Sequence, residues 1–248
     1  MKEVAGIHWL EEVDSTNNEC LRHIEDIDNL SVVAAVSQTA GRGQRGNSWL
    51  AKAGENLTFS MVLKFGEGSF DPLEADRQFS ITEAVTLGIA DYLENEGIEC
   101  SVKWPNDIYV RNRKICGILI ENSIRDRFLA HSIVGIGLNV NQKEFPPHLV
   151  NPTSMTKLTG KQYDIQCELV KLCGFLRPRM LALGKAGQTE EYAGKLYRLG
   201  SLNDYVICST GDLIKARIIG VTKSGLLRIE KEKGERMEFA FKEISYLI

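Results

Sequence analysis

The chain has 248 residues, 43% hydrophobic and 25% charged, with a formal net charge of -3. This is an ordinary globular balance, enough for one substantial core and a smaller domain. It excludes a general nucleic-acid coat, which needs a strongly basic surface, but leaves room for a local basic pocket that takes phosphates.

Ile7–Val13 reads as a first strand. Asp14-Ser15-Thr16-Asn17 then offers N-cap residues for a helix over Asn18–Ile27. Val32–Ser37 is a short β-branched strand, residues 40–48 (AGRGQRGNS) a Gly/Arg loop, and Leu57–Lys64 the next strand. Leu73–Glu96 predicts a long helix. Its Ile81, Val85, Ile89 and Leu93 recur at i, i+4 as a core-facing stripe, and Gly97 stands at its C-cap. Strands follow at Glu99–Trp104, Ile108–Arg111, Ile115–Ile124 and Phe128–Asn139, with Arg111-Asn112-Arg113 turning a hairpin. Gln166–Leu183 is a second long helix. Gly184 and Gly187 break it, and Glu190–Leu199 is a shorter one. After Gly200 come short strands at Tyr205–Cys208, Ile214–Val221, Leu226–Glu230 and Met237–Ala240, the texture of a small barrel. The expected units are a larger domain over 1–190 and a small one over 200–248.

The cysteines (Cys20, Cys100, Cys116, Cys167, Cys173, Cys208) form no CxxC pair. A chain this large needs no disulfide staples, so they read as reduced thiols of a cytoplasmic protein. The histidines show no HExxH spacing, and zinc chemistry is not expected. No apolar run reaches the ~20 residues of a membrane helix, and the N-terminus does not read as a signal peptide.

Three motifs carry chemistry. In Gly41-Arg42-Gly43-Gln44-Arg45-Gly46, glycines allow close backbone approach and free N–H groups, and arginines supply planar donors for phosphate or carboxylate. It lacks the spacing of a P-loop or a dinucleotide fingerprint. By itself it reads equally as a solvated loop. Lys103-Trp104-Pro105-Asn106-Asp107 is a corner stiffened by proline; its plain reading is a turn capped by Asn and Asp. In Lys114-Ile115-Cys116-Gly117 a lysine opens an apolar strand, and a glycine leaves its backbone open to approach. A lone strand lysine is usually an exposed edge charge.

In this order, with Asp14–Asn17, Gln38–Gly43, Ser48-Trp49, KICGILIE at 114–121 and GIGLNVN at 135–141, the motifs resemble the biotin protein ligase (biotin–[acetyl-CoA-carboxylase] ligase) family. The resemblance covers nearly the whole chain. It implies an α/β (α+β) fold: a catalytic domain like that of class II aminoacyl-tRNA synthetases, followed by an SH3-like β-barrel. It implies ATP-dependent activation of biotin to biotinyl-5′-AMP with Mg²⁺, then transfer to a lysine of a biotin carboxyl carrier protein domain. By motif position, Ser15, Thr16, Asn17 and Gln38 resemble ligands of the biotin ring end. Arg42, Gly43 and Gln44 belong to the loop that folds over biotin and the adenylate. Lys114 resembles the cation at the biotin carboxylate and α-phosphate, and Gly117 lets the ligand pack on the strand. Arg42, Arg45, Trp49, Lys103, Asn106 and Asn139 fall on the ATP side, Trp49 as an adenine wall and Asn139 as a reader of adenine. Lys114, Arg42 and Asp107 are the catalytic candidates. Asp107 is left to orient Lys114, bind Mg²⁺ or accept the amine proton.

The chain departs from the family pattern at Gln44, where many members carry arginine. The loop has one cation fewer, which bears on retention of the adenylate more than on its synthesis. The C-terminal Glu243–Leu247 segment lacks an arginine that some relatives place after it. The chain begins close to its first strand, leaving no room for the winged helix-turn-helix of repressor relatives, so no DNA binding is expected. Self-association is open between monomer and homodimer, with the strand around Gly135–Val140 as the edge to examine. Lipoate or octanoate ligases share the fold, but their RRxSGGG-type segment is missing. A biotin or nucleotide sensor would not need both Arg42 and Lys114. An RNA-binding reading of the RG loop fits the net charge poorly.

Overall fold

The computed structural model describes residues 6–185 and 187–247. A seven-stranded sheet is built from β1 (Ile7–Val13), β2 (Val32–Gln38), β3 (Asn56–Lys64), β4 (Ser101–Lys103), β5 (Asp107–Val110), β6 (Arg113–Arg125) and β7 (Phe128–Asn139). Their order is β1-β2-β3-β7-β6-β5-β4. β1 and β2 pair in parallel and the remaining neighbours antiparallel. β7 therefore lies in the middle of the sheet, paired on both sides. This corrects the expectation of an edge at Gly135–Val140.

Strand alternation decides which face carries the core. Val32 and Ala34 of β2, Leu57, Phe59, Met61 and Leu63 of β3, and Val134, Ile136 and Leu138 of β7 all join the main core. Two helices also contribute to it: α2 (Phe79–Asn95), with Ile81, Val85, Ile89 and Leu93, and α4 (Ile165–Leu181). The intervening residues point to the other face. There a short helix, α1 (Thr16–Arg22), sets Cys20 among Val33, Val62 and Ile133. Beyond α1, that face is where the cavity lies.

α1 starts at Thr16 and ends at Arg22, short of the expected Ile27, because the chain turns to pack Ile24 and Ile27 on the small cluster. α2 starts at Phe79 rather than Leu73. The residues before it are tied to the β6–β7 hairpin by Ala75 N–H to Arg127 O (2.9 Å) and Leu129 N–H to Leu73 O (2.9 Å). α5 (Gln188–Gly194) stops early because Val102 of β4 accepts from Tyr197 N–H (2.8 Å) and donates to Lys195 O (2.7 Å). A one-turn helix, α3 (Met155–Thr159), was not expected. Ser154 caps its start, and Gly160 with φ 75° closes it.

The C-terminal barrel is β8 (Asn203–Ile207), β9 (Leu213–Val221), β10 (Leu227–Lys231), β11 (Arg236–Phe239) and β12 (Ile244–Tyr246), ordered β11-β10-β9-β8-β12. β12 was not foreseen. The mixed α/β architecture with an SH3-like C-terminal sheet is the expected one. The barrel docks where Trp104 Nε1 donates to Gly225 O (2.9 Å), with Gly225 set against the Phe79 ring.

Candidate active site

Glycines make the floor of the site. Gly117 of β6 pairs with Gly137 of β7, and Gly135 stands two residues away on the same face. A side chain at Gly135 would collide with Asn17, and one at Gly137 with the Trp49 indole. At Gly117 a Cβ would meet Trp49 Cζ3 at 3.0 Å and Lys114 Nζ at 3.1 Å. Above this floor lies a cavity of about 460 Å³, walled by the 40–49 loop, the β4–β5 corner and the barrel.

One end is polar and enclosed. Ser15, Thr16 and Asn17 are 2–3% exposed at the start of α1. Gln38 Oε1 accepts from Thr16 N–H (2.8 Å) and from Thr16 Oγ1 (3.2 Å). Ser60 Oγ lies 2.7 Å from Thr16 Oγ1 and 2.6 Å from Asn17 Oδ1. Asn17 Nδ2 donates to Glu121 (2.8 Å) and, at 3.4 Å, to Leu119 O. Such a cluster suits a small planar ligand with its own donors and acceptors, because each buried polar group must find a partner.

The Gly/Arg loop folds back as a narrow hairpin. Gly43 N–H donates to Asn47 O (2.6 Å), and Trp49 N–H donates to Gly41 O (2.9 Å). Arg42 is committed to Glu121, with guanidinium–carboxylate distances of 2.5 and 3.1 Å, and to Asn18 Oδ1 at 2.7 Å. Gln44 lines the cavity with its Oε1 buried and, among the described residues, unpartnered, as is the Trp49 Nε1. The Arg45 side chain lies outside the described part of the structure.

The opposite end is cationic. Lys114 Nζ pairs with Asp107 Oδ1 at 2.7 Å and lies 5.7 Å from the Trp49 ring centre. A bulge explains why Lys114 and Gly117 share a face although three residues apart. Ile108 pairs with Cys116 and Tyr109 with Lys114, which leaves Ile115 as the extra residue. Of the three roles left open for Asp107, the structure displays the pairing with Lys114. Lys103 Nζ donates to the Tyr109 hydroxyl (3.2 Å). Burial pulls its pKa below the usual lysine value, against the raising effect of Asp107.

Two expected ATP-side residues stand differently from the rest. The Asn106 amide donates to Ile118 O, pinning the corner to β6, although Asn106 still lines the cavity. The Asn139 amide donates to Thr153 O (2.9 Å), and Asn139 is absent from the cavity wall. Sequence reading gave no role to Ser60, Glu121 or the barrel residues Phe241, Lys242, Ser245 and Tyr246. Of the floor, the sequence marks Gly117 but gives no role to Gly135 and Gly137. Among the described residues no three His, Cys, Asp or Glu side chains converge on a metal-sized site.

Residues 9–139 match the Biotin/lipoate A/B protein ligase family. A biotin–[acetyl-CoA-carboxylase] ligase of Paracoccus denitrificans is 29% identical over 92% of this chain and 95% of its own length. The bifunctional ligase/repressor BirA of Escherichia coli is 28% identical over 89% of this chain and 68% of its own. The biotin protein ligase from Aquifex aeolicus in complex with biotin and ATP superposes with a TM-score of 0.77, at 28% identity, over 97% of this chain and 98% of that one. With a match over more than half its length, the chain belongs to the Biotin/lipoate A/B protein ligase family.

Proposed function

We propose that the protein is a biotin–protein ligase. The observation that carries this reading is the two-ended cavity: an enclosed polar end at Ser15, Thr16, Asn17 and Gln38, and Lys114 paired with Asp107 at the other, across a glycine floor. A bicyclic urea fits the first end, and its valerate carboxylate extends toward the second. A carboxylate oxygen attacks the α-phosphorus of ATP, and the bond to the β-phosphate oxygen breaks, releasing pyrophosphate. A carrier lysine amine then attacks the acyl carbon, and AMP leaves.

Lys114 offsets the negative charge that gathers at the carboxylate and α-phosphate. Asp107 holds the ammonium in place. Trp49 forms the wall on the adenine side, and Arg42, Gly43 and Gln44 close over the adenylate and keep water from a hydrolysable anhydride. Lys103 and Asn106 stand on the phosphate side, whereas Asn139 supports the fold beside Thr153. Mg²⁺ bound to the triphosphate would supply further charge neutralisation beside Lys114 and Lys103. The catalytic unit is taken as 1–190 and the barrel as 200–248. The acceptor is a biotin carboxyl carrier domain, and the setting is the cytoplasm. No helix among the described residues is long and apolar enough to cross a membrane.

The test is ATP–pyrophosphate exchange with Mg²⁺ and either biotin or lipoate, followed by mass analysis of a carrier domain. Biotin-dependent exchange with a biotinylated lysine supports the reading. Equal exchange with lipoate, or none with biotin, overturns it.

A further inference from the structure

A row of paired residues crosses the sheet beneath the cavity: Gly137 on β7, Gly117 on β6, Asp107 on β5 and Lys103 on β4. At about 4.8 Å per strand, Lys103 sits roughly 10 Å beyond Gly117. It lies on the side away from Asn17 and Gly135. If the acid carboxylate meets ATP above Gly117 and Lys114, the phosphates that depart run toward Lys103.

Lys103 differs from the other two cavity cations assigned to the chemistry, Lys114 and Arg42. It makes no ion pair within 4 Å among the described residues, whereas Lys114 and Arg42 both hold carboxylates. Its Nζ instead lies 4.9 Å from the Tyr109 ring centre and 5.1 Å from that of Tyr246. Tyr246 comes from β12, and its ring packs on Tyr205 (5.3 Å) and Tyr197 (6.2 Å). Tyr197 in turn packs on Tyr109 at 5.5 Å. The four rings thus form a continuous bridge between the β4–β5 corner and the barrel. An ammonium hydrogen-bonded to the Tyr109 hydroxyl and within reach of the Tyr246 ring keeps its charge attracted and its direction fixed. Without a counter-ion it stays available to an incoming anion.

We propose, resting on the ligase reading, that Tyr246 is a positioning residue that holds Lys103 as the cation for the departing pyrophosphate. The last strand of the barrel then belongs to the nucleotide half of the site. As the bond from the α-phosphorus to the bridging oxygen breaks, the electron pair goes to pyrophosphate, and Lys103 meets that charge. The groups facing Lys103 are Asp107, which favours its charged form, and Lys114 and Arg198, which oppose it. Tyr109 accepts its hydrogen bond.

The test uses the full chain and biotin-dependent ATP–pyrophosphate exchange, with biotin affinity measured separately by calorimetry. Tyr246→Leu raises the KM for pyrophosphate by about 3- to 10-fold, the range one cation–π contact supplies, and Lys103→Met, which removes the cation itself, raises it at least as much. Biotin affinity stays within about twofold, because the polar end is untouched. Tyr246→Phe keeps the ring and recovers most of the loss. The double variant is no worse than Lys103→Met, because Tyr246 acts through Lys103. Multiplying losses in the double variant, a Tyr246→Phe as poor as Tyr246→Leu, or a parallel fall in biotin affinity overturns the proposal. If either single variant exchanges like the parent, it is overturned as well. Absence of exchange in the parent chain overturns the ligase reading itself, and this inference with it.

Discussion

The Trp49 indole lies directly over Gly137, so close that the glycine has no room for a Cβ. The ring is placed by the absence of a side chain beneath it. Gly137→Ala forces the indole upward into the space assigned to the nucleotide. The expected result is a rise in the KM for ATP on the order of tenfold, with a stability loss of about 1–3 kcal/mol from overpacking. Steady-state kinetics and a denaturant melt measure the two. An unchanged KM for ATP removes Trp49 from the nucleotide site.

Lys114→Ala is expected to slow adenylate formation by about 10²–10³-fold, the usual cost of losing one preorganised electrostatic contact. The neighbouring Arg113 is exposed at the start of β6, and Arg113→Ala is expected to keep the parental rate. Single-turnover synthesis, with melts alongside, separates chemistry from folding. The reverse pattern moves the catalytic cation to Arg113.

Glu121 tethers Arg42 of the loop and Asn17 of the polar end at once. Arg42 and Glu121 are each more than a third exposed, so the tether contributes at most about 1 kcal/mol. Glu121→Gln should speed amide exchange over residues 41–48 by up to about fivefold in the ligand-free protein. Biotinyl-5′-AMP should slow exchange in both forms. Equal exchange in the two ligand-free proteins means that Glu121 does not restrain the loop.

Burial lowers the pKa of Lys103 in the folded chain. The unfolded chain therefore binds more protons between that lowered value and the ordinary lysine value of about 10.4, and stability rises with pH across this window. Below it, the full cost of burying the charge is present. Lys103→Met should thus melt above the parent at pH 7, and the gap should close as pH approaches about 10. A gap that widens with pH contradicts the burial argument.

Gln44→Arg adds a cation to a loop whose Gln44 Oε1 is buried without a partner among the described residues. Adenylate synthesis should change little, while dissociation of bound biotinyl-5′-AMP slows. Stopped-flow release measures this. Faster release in the variant excludes the loop as the retaining element.

Elements with strong period-2 or i, i+4 patterns were legible in the sequence: Ile7–Val13 and Phe128–Asn139 have the expected bounds, and the α2 stripe faces the core. Most of the expected site residues also gather at one cavity, because their motifs sit at strand ends on a single face. What escaped depends on non-local geometry. No local signal marks the extra residue Ile115, which aligns Lys114 with Gly117. The early end of α5 is decided by pairing with Val102, roughly a hundred positions away in sequence. Asn139 and Asn106 carry polar amides, but Thr153 and Ile118, invisible as partners in a linear reading, take them up. Tyr246 enters through a three-residue strand too short for periodicity to reveal.

The cavity draws its walls from residues as far apart in sequence as Ser15 and Tyr246. During synthesis, therefore, no ribosome-bound fragment lacking the last strand holds the complete pocket, and ligands are of little use to early folding. Substrates that bind only the finished fold shift its equilibrium by mass action. A rise in melting temperature with biotin and ATP would then report selectively the chains that carry both Ser15–Asn17 and β12, and losing either segment would silence that response while leaving most of the core intact.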